Sequence, residues 1–179
     1  MIAVLILIAI ILAVGLAFYA TYCGLNVHKE LILQRLAGVD ARLRARHKAV
    51  NTFIDAAQTV MVQDEAIIFA VRKTIIDINK LPNRWNNNKD RFNLENDLDI
   101  KLNTLFTAAM KYPEIKSNVY LNKYLQEFIN IQSLLQPYVV EYNKTLKAFK
   151  GLINSPIGQI LAPAMRIKCD FVEYYIPEN

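Results

Sequence analysis

The residues with catalytic or metal-binding potential in this chain are few, and their spacing suits neither task. His28 and His47 are the only histidines among the 179 residues. Neither belongs to an HExxH or Glu-x-x-His pattern, so the di-metal sites that helical bundles build from such pairs lack their ligands. Cys23 and Cys169 make no CxxC or other ligand spacing, and a reducing compartment asks nothing of them. A GxSxG turn and a phosphate-cradling glycine loop are both absent. Among the carboxylates, Glu95, Asp97 and Asp99 open a helical segment, where negative charge complements the positive end of the helix dipole. Asp97 and Asp99 face different sides of that helix and cannot act as a pair. Asp64 and Glu65 interrupt a long apolar seam, and Asp64 falls near its apolar face. If buried it needs a partner, such as an arginine from a neighbouring helix or protomer. No catalytic, cofactor-binding or metal-binding residue is assigned, and a non-enzymatic role is expected.

The most conspicuous polar pattern is basic. RLAGVDARLRARHKAV, residues 35 to 50, has a basic residue at every second position from Arg42 to Lys48. A strand would explain the alternation but would scatter Leu36, Val39, Leu43 and Val50 over both faces. On a helix advancing about 100° per residue, Arg35, Arg42 and Arg46 fall within about 40° of one another on one margin of the apolar face. Arg44 and Lys48 point nearly the opposite way. The expectation is a protein-contact edge of Arg35, Arg42 and Arg46, with stems along apolar surface and heads in water. The tips around Trp85 are a further contact candidate. Nucleic acid is not an expected partner, because a net charge of +5 is modest and no nucleic-acid motif accompanies it.

These residues must be positioned by the elements around them, and the first is unlike the rest. Hydrophobic residues make up 54% of the chain, above the roughly 45–50% of ordinary soluble domains. The excess is concentrated before Lys29, where MIAVLILIAIILAVGLAFYATYCGLNVH carries no charge. Residues 2–22 are long enough to cross a bilayer, which takes about 20 apolar residues. They lack the basic start, short apolar run and small-residue cleavage site of a signal peptide. An uncleaved anchor over 1–24 and a helical domain over 25–179 are expected. Basic residues from Lys29 to Lys48 outnumber Glu30 and Asp40, which predicts a single-pass membrane protein with its N-terminus outside and its body cytoplasmic. Ala9, Ala13 and Ala17 recur every four residues and could seat a second transmembrane helix, although alanine is also simply common in such segments. An unbroken helix would rise about 30 Å from Tyr22 to Arg42. Screening acts over about 8 Å, so only Lys29 and marginally Arg35 would feel headgroups, unless a break near Gly24 or Gly38 lays the helix flat.

The remaining chain reads as all-α. There are five glycines and no hairpin dipeptide, and the apolar positions follow three-and-four spacing. Breaks are expected at LPNRWNNNKDRFN (residues 81–93), at Tyr112-Pro113 and at GLINSPIG (residues 151–158). They leave four segments: one long helix from about His28 to Leu81, Leu94 to Lys111, Glu114 to Lys150 with a kink at Pro137, and Ile157 to about Tyr175 interrupted by Pro163. The expected architecture is an antiparallel bundle of three to four long helices after a transmembrane helix. The last segment also has an alternative as an interfacial helix returning to the membrane.

Three short motifs, in order, carry a resemblance to a known family. Val39-Asp40-Ala41-Arg42-Leu43-Arg44-Ala45-Arg46-His47 resembles the Asp-Val-Gln-Leu-Lys-Arg-Arg run of LemA family proteins. Tyr112-Pro113-Glu114-Ile115-Lys116-Ser117-Asn118 resembles their Tyr-Pro-x-Leu-Lys-x-Asn, and Tyr142-Asn143 their Tyr-Asn pair. Departures stand at Asn51, Lys48, Val139 and Lys150, where the family usually has proline, aspartate, arginine and asparagine, so the chain resembles a divergent member. The resemblance implies a bacterial helical bundle anchored in the cell inner membrane and tied to membrane-associated partners rather than to a reaction. Two roles are expected: a scaffold that forms homo-oligomers or holds a membrane protein partner, and a regulatory subunit or adaptor of a membrane enzyme such as a protease. The adaptor's expected contacts are residues 82–93 and the C-terminal segment.

Overall fold

The computed structural model describes residues 2–81, 89–167 and 169–174, and the described residues contain helices and no strand. The helices are α1 (Ile2–Ala57), α2 (Glu65–Lys80), α3 (Lys89–Ala109), α4 (Pro113–Ser117), α5 (Val119–Ile153) and α6 (Pro156–Ala164), with a short 3-10 turn at Val62–Asp64. The chain forms two compact units, one of residues 1–36 and 141–169, the other of residues 37–140 and 170–179.

In the first unit, α1 begins with the apolar run, and its side chains are exposed throughout, from Ile2 at 77% to Leu16 at 68%. It is long and apolar enough to cross a membrane. Burial starts just past it, at Leu25, Ile32 and Leu36, and is matched on α5 by Tyr142, Leu146 and Phe149, all at or near zero exposure. Helical spacing of three, four and seven puts each set on one face. Gly24 does not break α1; a Cβ there would sit 3.6 Å from Leu152 Cδ1, an ordinary contact, so the end of α5 packs over this turn without requiring a glycine. The turn into α6 is built by Ser155, whose Oγ accepts from Gly158 N at 3.0 Å and donates to Leu152 O at 2.7 Å. A Cβ on Gly158 would lie 1.9 Å from Leu152 O, a backbone atom that cannot step aside. Gly158→Ala is expected to cost at least about 2 kcal/mol through overpacking, measurable as a shift in the urea midpoint.

The fourth helix is much shorter than the expected Ile157–Tyr175. It stops at Ala164, and Arg166 takes a left-handed backbone (φ 52°). Ile167 N donates to Ala162 O and Arg166 N to Pro163 O, the paired bonds of a Schellman termination with arginine in the usual glycine place. Pro163 has no N–H to continue the ladder.

In the second unit, α1 residues from Ala37 onward, α2, α3, α4 and α5 as far as Val140 surround a core that includes Val50, Phe53, Ile54, Met61, Val71, Leu98, Leu102 and Phe128. Three expectations about its helices are corrected. The continuous helix from His28 to Leu81 is divided between Ala57 and Glu65, where β-branched Thr59, Val60 and Val62 weaken the helix. Met61 is buried at the corner, and Arg72 reaches back to Asp55 at 2.5 Å. Part of the expected loop 81–93 is helical, since α3 starts at Lys89. The segment from Glu114 to Lys150 divides at Asn118, whose Oδ1 accepts from Tyr120 N and Leu121 N and so caps α5. Asn118→Ala is expected to cost about 1 kcal/mol, with fraying confined to the start of α5 in hydrogen exchange. Pro137 is accommodated inside α5. Gly38 lies within unbroken α1, and a Cβ there would be 3.3 Å from Tyr138 Cδ1.

Candidate functional site: a buried ion cluster

The densest polar constellation lies in the second unit and is enclosed. Arg46 on α1 is fully buried and pairs with two carboxylates of α3: its Nη2 donates to Glu95 Oε2 at 2.8 Å and its Nη1 to Asp99 Oδ1. Nη1 also donates to Gln132 Oε1 of α5 at 3.2 Å. His47 Nε2 lies 3.0 Å from Glu95 Oε2. The cluster is completed by Tyr174, whose hydroxyl donates to Asp99 Oδ2 at 3.0 Å and whose ring stacks on Phe92 with centroids 4.7 Å apart. Tyr174 reaches the site from the non-helical segment beyond α6.

Local sequence explains the convergence. Glu95 and Asp99 are four residues apart, so they share one helix face. That face also bears Phe92, Leu98 and Leu102, all buried. Because α3 begins at Lys89, neither carboxylate is in its first turn, and the expected dipole role is corrected: both serve Arg46 instead. Asp97 points elsewhere, pairing with Lys101 at 2.5 Å, in keeping with the expected separation from Asp99.

Burial opposes charge on every member, and partners decide the outcome. For Arg46, burial works against the cation, but Tyr174, Asp99 and Glu95 around it outweigh that and hold its pKa above the ordinary arginine value. Burial pushes the Glu95 carboxyl up, yet the hydrogen bond and charge of His47, then those of Arg46, bring it below the usual glutamate range. Asp99 has a share of Arg46 and the neutral Tyr174 donor, and there burial wins, leaving its carboxyl above the usual aspartate range. Burial, with Asp99 and Glu95 nearby, also raises the Tyr174 phenol despite the neighbouring Arg46, so it remains a hydrogen-bond donor. The arrangement is a charge-compensated network that ties α1, α3, α5 and the C-terminal segment together. Among the described residues, no three His, Cys, Asp or Glu side chains are grouped to hold a metal ion.

The expected arginine edge is therefore corrected in part. Arg46 is withdrawn into the interior, because its apolar margin is covered by α3 and its charge is met there. Arg42 is half-buried, with Nη2 donating to Tyr138 Oη at 2.8 Å and its guanidinium 4.7 Å from that ring's centroid. Arg35 is exposed, as are Ala9, Ala13 and Ala17. Among the described residues, Asp64 pairs with a tyrosine rather than an arginine: it accepts from the Tyr112 hydroxyl at 2.8 Å. The hydrogen bond to Asp64, followed by burial, raises the pKa of that phenol. Trp85 lies outside the described residues. A second ionic group was not anticipated: Asp40 binds Arg91 at 2.6 Å and Arg44 at 2.8 Å. The available signal for the main cluster was the four-residue spacing of Glu95 and Asp99 within an apolar stripe. Nothing in the local pattern singled out Tyr174.

Comparison with known proteins found one family: the model described as LemA family matches residues 35–175. No match was found among curated proteins or among solved structures.

Proposed function

Since the chain belongs to the LemA family, a family of membrane-associated helical proteins, we propose that it is a non-enzymatic scaffold that self-associates or holds a membrane protein partner. The supporting observation is a set of large apolar side chains left exposed on two packed helices. Phe69 and Ile76, seven residues apart on α2, are 68% and 53% exposed, and Ile100 on α3 is 63% exposed. Spacing of seven puts Phe69 and Ile76 on one face of α2, as in a helix-pairing seam, and exposed large apolar side chains on such a face suit a contact. In this reading residues 1–24 anchor the chain in the inner membrane with the N-terminus outside. The body is cytoplasmic, Ala9, Ala13 and Ala17 pack against another transmembrane helix, and Arg35 and Arg42 border the protein contact.

The test is the mass of the intact protein in detergent by multi-angle light scattering. A large assembly that shrinks on Phe69→Glu with Ile76→Glu supports self-association; a monodisperse monomer counts against it. The alternative role, an adaptor of a membrane enzyme such as a protease, draws support from the exposure of the same face. Crosslinking in native membranes that captured only self-contacts would sink that version.

A further inference from the structure

The net charge of the chain is not spread evenly between its two units. Residues 1–36 and 141–169 contain seven lysines and arginines but only two acidic residues, Glu30 and Glu141. That surplus of five equals the whole chain's net charge of +5, so the other unit, with fourteen charges of each sign, is neutral. The cationic unit is also the one that contains the apolar span of α1.

Within this unit, packing brings the end of α5 to the edge of that span. Leu152 lies against Gly24, two residues beyond Tyr22. Lys29 is five residues past Gly24 and Lys147 five residues before Leu152, each about 7.5 Å along its helix. Both are exposed. Lys29 is about 10.5 Å past Tyr22 along the helix; since the polar headgroup layer extends about 5–7 Å beyond the apolar core, both lysines lie within the roughly 8 Å over which a charged surface is felt at physiological salt. From the same corner departs α6, PIGQILAPA, which carries no charge and leaves Ile160 62% exposed, with Pro156, Pro163 and Ala164 also at the surface. Apart from Gln159, the exposed side chains of this uncharged helix are apolar, and with cations beside it at the foot of a membrane span the corner as a whole pairs an apolar surface with a basic rim, as an interfacial contact does.

We infer that α6 and the α5–α6 corner form a second membrane contact, seated on an anionic leaflet, with Ile160 in the interface and Lys29 and Lys147 over acidic lipid headgroups. The occupant is an acidic lipid surface rather than a protein, because charge complementarity and continuity with the span both point to the bilayer. This rests on residues 2–22 being the membrane span. It differs from a returning helix over Ile157 to Ile176, since α6 ends at Ala164. Near-surface lysines each contribute about fivefold to binding at such a leaflet.

The experiment uses the full chain in nanodiscs, with Cys23 and Cys169 replaced by alanine and single nitroxides at Leu12→Cys, Ile160→Cys or Thr107→Cys. Accessibility to oxygen is compared with accessibility to a water-soluble nickel complex. In phosphatidylcholine–phosphatidylglycerol discs, positions 12 and 160 should favour oxygen and position 107 should favour nickel. Replacing Lys29 and Lys147 by glutamine should weaken the lipid-seated population at 160 by about 25-fold, as should discs of phosphatidylcholine alone. If 160 behaves like 107 while 12 reports lipid, the inference fails and the anchor stands. A nickel-accessible position 12 overturns the anchor and the inference together. Equal seating of 160 in both lipid compositions overturns the anionic-leaflet assignment.

Discussion

Replacing Arg46 by methionine is expected to lower the free energy of unfolding by about 3–5 kcal/mol at neutral pH, the range for removing one partner of a buried ion pair. Methionine fills much of the volume, so the loss reports two stranded carboxylates rather than a cavity. The pH dependence makes this specific. In the native protein, the depressed Glu95 pKa contributes stability above the ordinary glutamate value that is lost as pH falls through the folded value. Asp99, raised by burial, runs the other way: its contribution is fullest below the ordinary aspartate value and declines as pH rises through the folded value. Without Arg46 the folded-state values of both carboxyls move up, so the variant should gain relative to wild type as pH falls from neutral toward 5. Urea unfolding followed by helical circular dichroism at the two pH values measures the gap. A loss below about 1 kcal/mol, typical of surface changes, with no pH dependence, would mean that the cluster is open to solvent.

The second large effect is expected at Tyr174. Removing its ring with Tyr174→Ala should cost about 3–5 kcal/mol, as for other buried aromatics, because the stack on Phe92 and the bond to Asp99 disappear together. Tyr174→Phe keeps the stack and removes only the donor, at a cost of about 1–3 kcal/mol for an unsatisfied buried acceptor. Limited proteolysis separates the two variants. The alanine variant should release the segment after α6 for cleavage, while the phenylalanine variant should hold it. Equal cleavage of wild type and Tyr174→Ala would show that the tyrosine does not retain this segment.

The all-α class, the apolar first helix and the restart at Pro113 were legible because each rests on local signals: periodicity, an uncharged run, and proline at a helix start. The break after Ala57 was not, since it contains neither glycine nor proline; it is set by the burial of Met61 and the tie from Arg72 to Asp55. The early end of α6 was only half legible, because Pro163 can kink a helix as well as end it. At the ion cluster, a wheel of the first helix put Arg46 on the margin of the apolar face with its head in water, whereas the fold buries it. The wheel could not show which helix covers that margin, and on that tertiary fact depends whether the arginine is a contact or a keystone. Tyr174 belongs to a segment without periodicity, so only the folded chain reveals its place.

Gly24 and Gly38 give α1 an unusual mechanical character. Each weakens the helix by about 1 kcal/mol relative to alanine, and each is covered by a side chain of α5, Leu152 at Gly24 and, more tightly, Tyr138 at Gly38. The same two points are thus intrinsically soft and externally splinted. Whenever α5 lifts away, even briefly, α1 should open first at these glycines, and amide hydrogen exchange around them should track α5 rather than α1 itself. A partner that competes for α5 would in this way loosen α1 without touching it.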